Sequence, residues 1–190
     1  MKYGELNLGQ VEAIVNKLGG MEGVQRFLAG NSEVVVKKNA ASDTFRLTVD
    51  HNKSLAEMIA AGRYDWTNDD ITAKRFPITG EGLVEFEARY FHFDRNISSE
   101  DAVKKIEQTD KENPWMSAKI EHLLAFGEKF PEEQRKFPIV ALGSVAGVRG
   151  DRGVPCLGRD GSRRGLGLHW WSNDWGSGCR FLAVRKVSVS

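Results

Sequence analysis

Residues 170–186 read Trp170-Trp171-Ser172-Asn173-Asp174-Trp175-Gly176-Ser177-Gly178-Cys179-Arg180-Phe181-Leu182-Ala183-Val184-Arg185-Lys186. The run ends in strand alternation, with Phe181, Ala183 and Arg185 on one face and Leu182, Val184 and Lys186 on the other. Ahead of that strand, small and polar residues of the turn-forming kind lie between tryptophans. The pattern predicts a stiff β framework that holds an exposed, chemically adaptable loop. Binding surfaces use this arrangement, in which aromatic anchors give contact area and Ser, Gly and Asn adapt. A purely structural hairpin around a core tryptophan fits the same residues equally well.

The neighbouring sequence extends the framework. Val154 to Leu157, Leu166 to Trp171 and Cys179 to Val187 read as short strands, with much of the chain's glycine between Gly147 and Gly178. From Ala146 to Lys186 there are eight basic residues against three acids. Three tryptophans combined with strand alternation argue for a glycine-rich β-meander rather than disorder. Upstream, Ile139 to Leu142 is a brief apolar strand. Pro114 is expected to open a helix whose buried face is Ile120, Leu123, Leu124 and Phe126. Ser98 or Ser99 caps a helix running to about Thr109, and Leu83 to Phe93 alternates as a long strand.

The N-terminal part is less regular. Leu8, Val11, Ile14, Val15 and Leu18 share a helix face that stops at Gly19-Gly20, and a second short helix ends near Gly30. A pair this short is expected to pack on the next segment or on another subunit. Val34-Val35-Val36 and Phe45 to Val49 read as strands, and Ser54 with Glu57 caps a helix to Ala61. Residues 63–82 are irregular. The reading is an α+β chain in two parts, a helix pair with short strands over 1–82 and a ligand-binding domain over 83–190.

Composition narrows the function classes. The chain has 190 residues, a net charge of +1 and a hydrophobic fraction of 41%, so a packed core is expected and whole-molecule charge does not point to nucleic acid or an anionic membrane. Cys156 and Cys179 form no Cys-x-x-Cys pair, and no apolar run approaches the roughly 20 residues that span a bilayer. An intracellular, cytoplasmic protein is expected, with export by a route lacking a cleaved signal left open.

Catalytic motifs are missing. His51, His92, His122 and His169 are not at metal-ligand spacing from one another, and Gly147 to Gly153 lacks the Gly-Lys-Ser/Thr of a phosphate loop. Cys156 with His169 would be a nucleophile and base only if the fold joined them. Glu85 and Glu87 share a strand face and read as solvated rather than as a carboxylate pair. No metal, cofactor or catalytic residue is expected.

Phe137-Pro-Ile-Val-Ala-Leu-Gly-Ser144, the glycine-rich strands after it, and Trp171-x-x-x-Trp175-x-x-x-Cys179-Arg-Phe-Leu-Ala-Val-Arg-Lys186 resemble the C-terminus of variable proteins of diversity-generating retroelements. The resemblance covers roughly residues 83–186. It implies a C-type lectin-like fold, related to the formylglycine-generating-enzyme branch, behind a small N-terminal helical and strand extension. The Gly-Gly-Ser-Trp and Gly-Phe-Arg signatures of the enzyme branch are absent, and Cys179-Arg180-Phe181 stands where the latter would be, which speaks against retained catalysis.

The resemblance further implies a fixed framework of Trp171, Trp175, Cys179 and Phe181. Variable, ligand-contacting positions would interleave with it at Arg149, Asp151, Arg152, Arg159, Asp160, Arg163, Arg164, His169, Ser172, Asn173, Asp174, Gly176, Ser177 and Gly178. The implied partner is a protein or other macromolecule. Two other classes compete. The local basic excess among tryptophans would suit stacking on single-stranded nucleic acid, although the arginines are scattered. The third class is an enzyme with an unrecognised site.

Overall fold

The computed structural model describes residues 8–30 and 44–187, in two compact units divided between Ala41 and Ser42. The first contains α1 (Leu8–Lys17) and α2 (Gly20–Leu28), separated at Gly19, whose φ of 86° suits glycine. Val11, Ile14, Phe27 and Leu28, expected to pack, are exposed. The strand expected at Val34-Val35-Val36 lies outside the described residues. Among the described residues no helix is long and apolar enough to cross a membrane.

The second unit is a mixed α and β structure built on a nine-stranded sheet. In chain order its elements are β1 (Thr44–Asp50), α3 (Leu55–Gly62), β2 (Trp66–Thr67), β3 (Leu83–Phe91), α4 (Ser99–Glu107), β4 (Met116–Ser117), α5 (Ile120–Lys129), β5 (Ile139–Val140), β6 (Ala146–Val148), β7 (Asp151–Asp160), β8 (Arg163–Trp170) and β9 (Arg180–Lys186). The sheet order is β1-β3-β9-β5-β7-β8-β2, with β4 on β9 and β6 on β7. Leu47 pairs with Phe86 and Ala88 with Val184, so β1 belongs to the same sheet as β3 and β9. The division expected at 82/83 therefore falls earlier, because β1 and α3 are integral to this unit.

Strand alternation sends alternate side chains to opposite cores. Phe86, Ala88, Leu157, Leu182 and Val184 pack with Met58 of α3 and Leu123 and Phe126 of α5. Phe91, Val140, Cys156, Phe181 and Ala183 face the other way, onto Ala102 and Ile106 of α4, Trp115 and Trp175. The two faces of β9 read from the sequence are thus both interior.

Two local expectations change. No helix opens at Pro114; the chain there adds β4 to β9, through Met116 opposite Val184, and α5 begins at Ile120. The Ile120 amide donates to Ser144 Oγ at 2.9 Å, and the Lys119 amide to His122 Nδ1 at 3.0 Å, so side chains satisfy the first turn. The strands of the β7–β8 hairpin are also longer than expected. Gly165, expected before the strand, lies inside β8 together with Gly167. A Cβ on Gly165 would stand 2.0 Å from the Trp66 indole, so these glycines make room for a ring that covers the strand.

Candidate functional site

Register fixes where the candidate residues fall. Gly153 pairs with Trp170 at one end of the β7–β8 hairpin and Asp160 with Arg163 at the other. At the usual rise per residue those ends are roughly 24 Å apart. Arg149, Asp151, Arg152, His169 and residues 172–178 gather at the first end. Arg159, Asp160, Arg163 and Arg164 lie at the second. The fourteen candidates therefore form two groups, not one surface.

At the first end, Trp175 is the anchor. Ser172, Asn173 and Asp174 are exposed, as are Gly176, Ser177 and Gly178, while Trp175 between them is 3% exposed. Its backbone pairs with Ile97 in both directions, at 3.1 and 2.9 Å. Its indole N–H donates to Ser99 Oγ at 2.8 Å, and that hydroxyl donates to the Trp171 carbonyl at 2.7 Å. The ring meets Phe181 edge-on at 5.8 Å and His169 at 5.6 Å. Partial loss of water there pushes the His169 pKa below its usual value. The Cys179 amide donates to the Gly176 carbonyl, and His92 Nε2 lies 2.8 Å from the Ser177 carbonyl. The backbone of the loop is fixed while its side chains, Trp175 apart, point outward.

Beside the loop, Arg152 stacks on the Trp171 ring at 5.0 Å. Glu100, in the first turn of α4, accepts from the Trp171 indole N–H and from Arg152 at 3.4 Å. The Trp171 indole first, and then Glu100's own backbone amide, hold its carboxyl below the usual carboxylate range, with Arg152 adding to them. Ser172 donates to Asp151 Oδ2 at 2.9 Å. Arg149 pairs with Asp70 at 3.1 Å and occupies, at φ 51°, the first position of a two-residue turn completed by Gly150 at φ 89°. Arg149 and Arg152 are matched with carboxylates, while Arg180 donates to the Ser177 and Cys179 carbonyls, so the basic excess at this end is partly neutralised.

The second end corrects one assignment. Arg164 is 7% exposed, so it is not a ligand-contacting position. Its guanidinium donates to the carbonyls of Gly62 at 3.0 Å and Gly127 at 2.9 Å and to Gln134 Oε1 at 3.0 Å, and it lies 5.2 Å from the Tyr64 ring. Its neighbours Arg159, Asp160 and Arg163 are exposed, with Arg163 and Asp160 paired at 2.8 Å.

No hydrogen bond joins Cys156 and His169. Burial first, and Cys179 second, push the Cys156 thiol up to about 12, the reverse of what a thiolate nucleophile needs. Glu87 is bound by Arg185 at 2.7 Å while Glu85 is exposed, so they do not act as a carboxylate pair. Among the described residues no group of three or more His, Cys, Asp or Glu is placed to hold a metal ion.

One polar cluster has no counterpart in the sequence reading. His51, Thr79, Lys119, Glu121 and His122 line a cavity of about 350 Å³. Glu121 is 1% exposed and accepts from Thr79 Oγ1 at 2.7 Å; Lys119 Nζ donates to the same hydroxyl at 3.0 Å. Burial, then His51 and Lys119, lower the His122 pKa to about 3. The available signal was Glu121-His122 on a helix buried along Ile120 to Gly127, where each polar group must find a partner or a ligand.

No family model matches the chain, and neither the comparison with curated proteins nor that with solved structures finds a match.

Proposed function

We propose that the chain is a ligand-binding protein with a C-type lectin-like ligand-binding unit, which displays a diversified C-terminal surface to a protein or other macromolecule, and that it is not an enzyme. The carrying observation is the 172–178 loop: six exposed residues flank one buried tryptophan, whose backbone is bonded to Ile97 and whose ring packs edge-on against Phe181. Such a loop tolerates exchange of its outward side chains because, Ser172 with its bond to Asp151 apart, none of them makes a side-chain hydrogen bond among the described residues. The strand order adds support in part: the long strand β3 is followed by two helices, and the last strand, β9, returns antiparallel to β3, which suits the lectin-like reading. β9 sits beside β5 rather than β8, so the terminal strands do not form the meander expected from the sequence. The ligand face comprises Asp151, Arg152, His169 and residues 172–174 and 176–178, with Arg149 at its edge; Arg159, Asp160 and Arg163 lie apart from it.

The test is the DNA beside the gene. A near-copy of the 3′ end, differing almost only at adenines and accompanied by a reverse transcriptase gene, is expected. Finding neither would sink the diversification reading. Matched Arg–carboxylate pairs disfavour the nucleic-acid alternative, so no oligonucleotide should bind even at low salt, where counterion release makes such binding strongest.

A further inference from the structure

The cavity at the start of α5 is separate from the loop surface, and its chemistry is unusual for a structural gap. Among the described residues Glu121 Oε2 and His51 Nδ1 are buried and have no hydrogen-bond partner. An unpaired buried carboxylate oxygen is costly unless a donor reaches it. Fixing Glu121 Oε1 through Thr79 leaves Oε2 unpaired and buried at the wall of a cavity that Glu121 lines. Donors line the same cavity. The His122 ring accepts the Lys119 amide at Nδ1, so its neutral form carries the remaining proton on Nε2. Lys119 supplies an ammonium.

Charge and shape narrow the ligand. The charged lining residues are Lys119 and Lys186 against Glu81 and Glu121, whose formal charges cancel. A net charge on the ligand would gain from one pair and lose to the other. Phe86, Val84 and Met116 supply an apolar wall. Gly80, at φ 112°, lies so close to the His51 ring that a Cβ would stand 2.8 Å from Nδ1, so glycine there lets the backbone pack against that ring. The geometry points to a binding site for a small neutral molecule bearing a carboxamide-type donor–acceptor pair on an apolar body. The amide N–H₂ donates to Glu121 Oε2, its carbonyl accepts from Lys119 or His122, and the body lies on Phe86 and Met116.

Benzamide is the probe, compared with benzoate and benzylamine in an NMR titration of the full chain. The expected result is benzamide binding with Kd of about millimolar, at least about tenfold tighter than either charged probe, with shifts centred on the amides of His51, Gly80, Glu121 and His122. Glu121→Leu should abolish these shifts and Arg152→Ala should leave them intact. If Glu121→Leu does not fold, the ranking of the three probes on the unaltered chain still decides. Equal binding of benzoate or benzylamine, shifts centred elsewhere, or no shifts with any probe would overturn the site.

Discussion

Trp175 and Arg164 make a natural pair. Each is the one inward side chain among exposed neighbours at its end of the β7–β8 hairpin, and they are held by opposite means. Trp175 is held by ring burial and a single indole hydrogen bond; Arg164 by three hydrogen bonds to Gly62, Gly127 and Gln134. An apolar anchor leaves its flanking residues independent of it, because its energy lies in surface removed from water. A polar anchor stabilises only while every partner stays in place. The loop around Trp175 is therefore suited to changing its side chains, whereas the tip around Arg164 ties α3, α5 and β8 together.

The largest effect that would break this contrast is at Trp175. Trp175→Ala should cost about 3–5 kcal/mol in chemical unfolding. Trp175→Phe, which keeps a smaller aromatic ring but loses the bond to Ser99, should cost less, about 1–3 kcal/mol. A cost below about 1 kcal/mol for the alanine variant would mean that the loop is not anchored there. At the other end, Arg164→Leu should cost about 3 kcal/mol, since two carbonyls and Gln134 Oε1 lose their donor. Arg163→Leu should stay within about 0.5 kcal/mol. Equal costs for the adjacent arginines would erase the distinction.

The same contrast explains how far the sequence is legible. Alternation in 181–186 identifies β9, and tryptophan among Ser, Asn and Gly marks an anchored loop, because a large apolar side chain between turn formers has one sensible place to go. Arg164 is unreadable for the converse reason: arginine is usually exposed, and nothing local in Arg163-Arg164 says which one turns inward. That depends on the carbonyls of Gly62 and Gly127, tens of residues away. β4 was hidden likewise, since two residues of strand after a proline carry too little pattern, and β6 was missed for the same shortness. The Glu121 and His122 cavity depends on β1, β3 and α5 meeting, which no single segment encodes.

His122 extends the comparison to a third inward polar group. Its folded pKa of about 3 lies below the ordinary value of 6.5, so between these values the unfolded chain binds more protons than the folded one. Stability from this group is full above about pH 6.5 and falls as pH drops toward 3, at about 1.4 kcal/mol per pH unit. Unfolding free energy measured from pH 7 to pH 4 should show this slope, reduced in His122→Gln. An unchanged slope in that variant would place the acid sensitivity elsewhere.

The smallest expected effects sharpen the contrast most. Asn173→Ala, Asp174→Ala and Ser177→Ala should each shift unfolding by less than about 0.5 kcal/mol, and the triple variant should equal their sum within about the same margin. Additivity matters more than size here. A surface open to exchange requires that no outward side chain depend on another, whereas a structural hairpin would show coupling through its loop. Ser172 is the informative exception, because it donates to Asp151 Oδ2 and so ties the loop to β7. A double-mutant cycle on Ser172 and Asp151 should give a coupling of about 0.5–1 kcal/mol, against none for Asn173 with Ser177. Coupling throughout the loop would show that its side chains hold it together, and the distinction between an anchor and what it displays would fail.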